Sequence, residues 1–410
     1  MLKLKDEYIK LVNDSEKELN DIFNKIDDNA FINSKKVLDA FHMVNVSESD
    51  LFGTSGYGYN DTGREKIEKI FSYILDSEDA LVRTQIISGT HAISTALFAI
   101  LRPGDTLLAI SGTPYDTLHE VIGIKDNNSS LISYKVNYKE VDLKDNDFDY
   151  DKIKEEINGV KVVHIQRSRG YSLRDSLTTK KIEKVIKFIK NINKDIIIFV
   201  DNCYCEFVET KTPTSVGADL MAGSLIKNLG GGIARNGGYI AGRHDLIELC
   251  AERLNVPGEG REVGPSINAN REFLQGIYFA PSVVSSALKT SILTSLVLQK
   301  LGFEVYPKYN DNRADIVQLI YFKNEQNIIK YAEGIQGAGA IDANVKPIPS
   351  DMPGYDDKII MASASFVQGS SIEISCDGPL KEPYVLFQQG SLTYNYGKIA
   401  LINAISKLNE

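Results

Sequence analysis

Between about residues 64 and 275 the chain alternates short apolar runs with stretches of helical spacing, and that alternation restricts the fold more than any other feature. Thr106 to Ile110, Val160 to Ile165 and Asp195 to Val200 read as buried strands, and Gly238 to Ala241 as a short one ahead of a helix around Leu246 to Leu254. Ile93, Leu97, Ile100 and Leu101 keep helical spacing after Gly89-Thr90, and Arg102-Pro103-Gly104-Asp105 closes that helix. Ile182, Val185, Ile186 and Ile189 form the buried stripe of a lysine-rich helix whose charges face solvent. Strands that alternate with helices predict an α/β fold with a mainly parallel sheet covered on both faces.

The flanks differ. Residues 1–63 read as an N-terminal arm, a charged helix pattern (Leu4, Tyr8, Leu11, Leu19, Ile22, Phe23, Ile26) leading into the irregular Gly53-Thr54-Ser55-Gly56-Tyr57-Gly58-Tyr59-Asn60. Residues 64–275 form the large domain. After a boundary near Gly276 to Pro281, residues 276–410 read as a smaller α+β domain: a helix from Val283 to Leu301, strands at 303–306, 316–322, 358–362 and 371–375, and helices near Ile328 and Lys398.

A chain of 410 residues is long enough for such a division. Its formal charge of −9 offers no dominant basic surface for nucleic acid. No uninterrupted apolar run approaches a membrane span, and the charged start Met1 to Glu7 lacks the apolar stretch of a secretion signal. Four cysteines make no disulfide scaffold and no His/Cys spacing suggests a metal site, so a reducing cytoplasm is expected and no metal.

Three stretches offer chemistry. Asp201 ends an apolar strand, where ligands gather in open α/β sheets, and can face a bound cation. Lys227 follows, just before Leu229-Gly230-Gly231-Gly232; a lysine confined there can lose its proton and attack an aldehyde, although an isolated lysine in such a loop is ordinarily an exposed one. Ser88-Gly89-Thr90-His91 opens a helix, which suits either a phosphate or an ordinary N-cap. Tyr115 follows the Thr106–Ile110 strand, so its ring lies at the same sheet edge as Asp201, either stacked on an aromatic cofactor or packed in the core.

Together these stretches resemble the pyridoxal-phosphate enzymes of fold type I, closest to the cystathionine lyase and methionine γ-lyase group and, within it, the branch of aluminium-resistance carbon–sulfur lyases. The resemblance is carried by Gly56 to Arg64, Ser88 to Ile93, Thr113 to Leu118, His164 to Tyr171, Val200 to Tyr204, Ser224 to Lys227 with Gly237 to Gly242, and Glu382-Pro383-Tyr384. It implies a pyridoxal-phosphate-binding large domain with a seven-stranded-type sheet. Lys227 is similar to the lysine that carries the cofactor, and Asp201 to the partner of the pyridine nitrogen. Ser88, Gly89, Thr90 and Ser224 would hold the phosphate and Tyr115 would stack on the ring. Tyr59 and Arg64 resemble a pair that reaches the phosphate of a neighbouring subunit, which implies a homodimer or a dimer of dimers.

Departures accompany the resemblance. Ile226 precedes the lysine where a hydroxyl residue is common, and the spacing of Tyr59 and Arg64 differs. The usual carboxylate-gripping arginine of the C-terminal domain is missing, since no arginine follows Arg313; Arg167, Arg169 or Arg313 must serve. The expected activity is carbon–sulfur bond cleavage in a sulfur amino acid of the methionine or cystathionine type, by β or γ elimination. The alternatives are another reaction on the same cofactor, of aminotransferase or aldolase type, and cofactor binding without turnover.

Overall fold

A computed structural model describes Leu2, residues 4–352 and residues 357–409. The large sheet contains β1 (Asp79–Arg83), β2 (Thr106–Ala109), β3 (Asn137–Glu140), β4 (Val162–Gln166), β5 (Ile197–Asp201), β6 (Leu220–Ser224) and β7 (Gly238–Gly242), in the spatial order β1-β7-β6-β5-β4-β2-β3. β7 runs antiparallel to both of its neighbours, and the remaining pairs are parallel.

The strands are buried on both faces, so successive side chains serve different cores. In β5, Ile197 and Phe199 pack with Ile93 and Leu97 of α4 (Gly89–Ile100, which follows α1 Asp6–Glu18, α2 Asn20–Met43 and α3 Thr62–Ile74) and with Leu246 and Ile247 of the helix His244–Leu254. Ile198 and Val200 pack on the opposite face with Ile182, Val185 and Ile189 of the helix Thr179–Ile192 and with Phe71 of the helix Thr62–Ile74. Asp201, two residues beyond Phe199, therefore emerges on the α4 face of the sheet.

A second, all-antiparallel sheet contains β8 (Glu304–Tyr306), β9 (Gln318–Tyr321), β10 (Ile359–Ser363), β11 (Ser375–Pro379) and β12 (Val385–Gln389), in the order β8-β9-β12-β11-β10. The sequence pattern placed its fourth strand at 371–375 and did not register β12. Residues 371–374 instead support a turn, with the Glu373 carboxylate accepting from the amides of Phe366 and Val367. β12 ends in two glutamines and so reads as polar, yet Gln388 is buried, accepting from the Tyr331 hydroxyl and donating to Thr294 Oγ1 at 3.0 Å.

The helix Asn270–Lys300, of 31 residues, joins the two halves. Phe273, Leu274, Ile277 and Ala280 belong to the core under the large sheet, and Val283 onward to that of the small sheet. The helix is long and apolar enough to cross a membrane, but 83% of its most apolar window is buried inside the protein. Val12 of the helix Asp6–Glu18, Phe23 and Ile26 of the helix Asn20–Met43, and Leu19 at the junction between them also join the small-sheet core. The N-terminal segment thus packs chiefly on the C-terminal half.

Candidate active site

The face on which Asp201 emerges also receives, from neighbouring strands, His164 and Gln166 of β4 and Ser224 of β6. These positions meet the N-terminus of α4 around a cavity of about 140 Å³ lined by Ser88, Gly89, Thr90, Tyr115, Gln166 and Asp201 among others, with Cys203, Tyr204, Ser224 and Lys227 completing the wall. Strand alternation and one helix start therefore bring Ser88, Gly89, Thr90, Tyr115, Asp201, Ser224 and Lys227 together.

One end of the cavity is built for an anion. The Ser88 side chain accepts from the His91 amide at 3.0 Å and starts α4, whose first-turn amides have no intrahelical partner. Thr90 and Thr117 hydroxyls lie 2.6 Å apart beside it, and the Ser224 hydroxyl faces it from β6. A Cβ on Gly89 would sit 3.1 Å from the Cys203 sulfur and 3.5 Å from the Ser224 Cβ, so glycine lets the helix start approach the strand ends. His91 does not line this space; its Nδ1 accepts from the Ile87 amide at 3.2 Å.

At the other end, the Asp201 carboxylate is 5% exposed and accepts from the Cys203 amide at 3.1 Å, leaving acceptor capacity directed at the cavity. His164, behind it, has neither ring nitrogen partnered, and burial pushes it down to about 4, so it is neutral. Tyr115 packs against Tyr171 with centroids 6.0 Å apart. Gly170 permits this: it adopts φ +56°, and a Cβ there would lie 3.0 Å from the Tyr115 ring.

The Lys227 Nζ sits 4.1 Å above the Tyr204 ring. Burial lowers its proton affinity, which is the effect the sequence reading relied on, but Cys203, Tyr204, Asp201 and Glu206 around it raise it further, well above the ordinary lysine range. Burial also holds the Cys203 thiol and the Tyr204 hydroxyl protonated. Glu206 was not legible as a site residue.

This donor set fits pyridoxal phosphate: a helix start and three hydroxyls for the phosphate, a carboxylate for the pyridine nitrogen, a tyrosine ring for the aromatic face and a lysine for the aldehyde.

The cavity opens through Tyr115, Thr117 and Gln166 into a larger space of about 1050 Å³ that reaches the small domain at Asp357, Ile359, Pro379 and Lys381. Arg169 lines this space. It is 1% exposed, its Nε meets Asp315 at 3.5 Å and its guanidinium lies over the Tyr306 ring, yet neither Nη has a partner. The other two arginines considered for a substrate carboxylate are turned elsewhere. Arg167 is bound to Glu209, to Asn202 at 2.8 Å and to the Leu177 carbonyl at 3.0 Å. Arg313 donates to Gln318 at 2.5 Å and to the Pro307 carbonyl at 3.2 Å. Arg64 is also turned inward, donating to the carbonyls of Gly58 and Gly264 at 2.8 and 2.5 Å and more weakly to those of Arg261 and Glu262. Tyr59, by contrast, is 54% exposed and stacks on Tyr57.

The profile of the methionine gamma-lyase family matches residues 8–409. YnbB of Bacillus subtilis (strain 168) is 46% identical over 399 residues, covering 96% of this chain and 95% of that protein. The crystal structure of a Listeria monocytogenes protein described as a candidate cystathionine beta-lyase involved in aluminum resistance superposes with a TM-score of 0.96 at 47% identity, covering 97% of this chain and 99% of that one. At 14% identity, the cystathionine gamma synthase of Xanthomonas oryzae pv. oryzae shares the fold with a TM-score of 0.60, covering 84% and 86% of the two chains. The architecture is that of fold type I pyridoxal-phosphate enzymes, as the sequence motifs implied. The chain belongs to the methionine gamma-lyase family.

Proposed function

We propose that this chain is a pyridoxal-phosphate-dependent carbon–sulfur lyase acting on a sulfur amino acid of the methionine or cystathionine type. The observation that carries the reading is the convergence of a buried lysine, a strand-end carboxylate and a helix N-terminus on one cavity. Family membership and the name borne by the Listeria relative support the same reaction class. When bound, the cofactor supplies a cationic ring that accepts the electron pair left at the substrate α carbon.

The residues divide the work. Ser88, Gly89, Thr90 and Ser224 bind the phosphate, and Tyr115 lies against the ring. Asp201 keeps the pyridine nitrogen protonated, since a carboxylate within hydrogen-bond reach favours the charged form. Lys227 would hold the cofactor through its Nζ, and the same nitrogen, when free and neutral, is placed to take the substrate α proton. Arg169, with both Nη atoms unpaired and a planar fork, grips the substrate carboxylate in place of the missing C-terminal arginine. A thiol leaves from the β or γ carbon into the larger space.

Incubating the holoenzyme with L-cystathionine, L-cysteine and L-methionine in turn tests this. Release of thiol together with keto acid and ammonia from at least one of them is expected. Amino-group transfer without thiol release, or a spectrum that responds to none of them, would contradict it.

A further inference from the structure

We propose that Tyr171 is a positioning residue for Tyr115: Asp377 of the small domain holds the Tyr171 hydroxyl, and the Tyr171 ring in turn fixes the tyrosine that lies against the cofactor. This rests on Tyr115 being the stacking residue of the cofactor site.

The small sheet presents two unlike faces. Ile320 of β9, Cys376 of β11 and Leu386 of β12 point into the core shared with the long helix. Leu319, Val385 and Phe387, one residue out of step, point the other way and pack with Tyr171 of the large domain. Asp377 lies opposite Phe387 across the β11–β12 ladder and Ser375 lies opposite Gln389, so these polar side chains share that outward face. There the Tyr171 hydroxyl donates to one Asp377 oxygen. The Gln389 amide donates to the other at 3.1 Å and to Ser375 Oγ at 3.2 Å. The Tyr171 ring meets Phe387 with centroids 5.1 Å apart. A held hydroxyl at one end and an aromatic wall alongside define where that ring lies.

The chain around Tyr171 is fastened to the small domain on both sides. Before it, the Arg169 amide and Nε meet Asp315 at 3.3 and 3.5 Å. After it, Asp175 accepts from the Tyr306 hydroxyl, and Ser176 Oγ accepts from the Ala314 amide at 3.1 Å. Arg174 ties the same stretch back to the end of β4, donating to the carbonyls of Gln166 and Ser168 at 2.8 and 2.6 Å. The backbone is therefore held without the Tyr171 hydroxyl, and removing that hydroxyl alone frees the ring and leaves the segment in place.

On its other side Tyr171 touches Tyr115, with centroids 6.0 Å apart and ring planes at 54°. Tyr115 lines both the cofactor cavity and the larger space, whereas Tyr171 lines the larger space and Asp377 lines neither. Tyr171 thus reaches the cofactor through Tyr115. With Tyr171 seated against Phe387 and Asp377, and the Gly170 backbone beside it, Tyr115 has no room to tilt towards them. A side chain of the small domain in this way sets a ring of the large domain without entering the site.

Two readouts that need no turnover test this: the affinity of the full chain for pyridoxal phosphate, and the visible circular dichroism of the bound cofactor. Tyr171→Phe keeps the ring and removes the hydroxyl. It should weaken cofactor binding by roughly three- to tenfold, the scale of one lost hydrogen bond, and lower the dichroism per bound cofactor. Asp377→Ala should shift both in the same direction, and it serves if Tyr171→Phe does not fold. Tyr115→Ala should lower both further. In the Tyr115→Ala background, Tyr171→Phe should then change binding by less than about twofold, because residues that act through one contact are not additive. If Tyr115→Ala is impaired but folded Tyr171→Phe is not, the proposal is overturned and the stacking role stands. A lower melting temperature as the sole effect of Tyr171→Phe would overturn it equally, since that marks a merely structural bond. So would an equal loss with and without the Tyr115 ring, which would mean that the effect bypasses Tyr115. Tyr115→Ala without effect would remove the stacking role and the proposal together. Each of these outcomes is separate from the lyase reading, which the thiol-release assay decides.

Discussion

Replacing Asp201 by asparagine should separate cofactor binding from turnover. The amide oxygen can still accept from the Cys203 amide, so the strand end stays ordered, and the phosphate contacts and Lys227 still hold the cofactor. A neutral side chain no longer keeps the pyridine nitrogen protonated, so kcat should drop by ~10²–10³-fold, the scale for losing a group that stabilises developing charge. Activity per bound cofactor decides it, and near-equal values would refute the role of Asp201. Arg169→Lys should raise KM for the amino-acid substrate by roughly tenfold, the loss of one charge-assisted hydrogen bond, because lysine keeps the charge beside Asp315 but lacks the planar fork. Arg169→Leu should instead destabilise the fold by about 1–3 kcal/mol, because buried Asp315 loses the guanidinium beside it and keeps only the Arg169 and Val317 amides; a thermal melt distinguishes the two variants. Asp201 was legible because it ends an apolar strand of the alternating pattern, and Lys227 because it follows Asp201, precedes a glycine run and sits in a motif that carries the resemblance. Glu206 was not, because it lies on the opposite sheet face, bonded to a tyrosine 33 residues away.

At the scale of elements, the glycine run after Lys227 is explained by its contact with the long helix. Gly230 and Gly276 meet backbone to backbone: a Cβ on Gly276 would lie 2.4 Å from the Gly230 carbonyl oxygen, and one on Gly231 would lie 2.3 Å from that of Gly276. Alanine is intrinsically better than glycine inside a helix by about 1 kcal/mol. Gly276→Ala should nevertheless lower both the melting temperature and cofactor retention, because the methyl would displace the turn that carries Lys227. A melt equal to or above wild type with full cofactor content would show that the close approach is dispensable. β2, β4, β5, β7 and α4 were readable from their apolar runs and periodicity, whereas β6, a short run that ends in the small residues Ala222-Gly223-Ser224, was not. β12 was obscured because Gln388 and Gln389 are polar residues buried with internal partners. The start of the long helix was masked because Pro281 lies inside it and reads as a break.

For the whole molecule, we propose, from the resemblance, an assembly in which the N-terminal arm, with Tyr57 and Tyr59 exposed and stacked, completes a neighbour's phosphate site. The active species in sedimentation should be at least a dimer, and an active monomer at high dilution would contradict this. Tyr59→Ala should weaken cofactor retention while leaving the melting temperature of the chain nearly unchanged, since surface substitutions usually move stability by no more than about 0.5 kcal/mol. No residue-level pattern in a single chain specifies the partner; only the resemblance pointed to it, and Arg64, which the resemblance paired with Tyr59, spends its donors within its own chain. All of these inferences depend on where the cofactor is attached. Borohydride reduction of the holoenzyme followed by peptide mapping determines this: the pyridoxyl group should be found on Lys227, and finding it on another lysine, or on none, would contradict the active site described above.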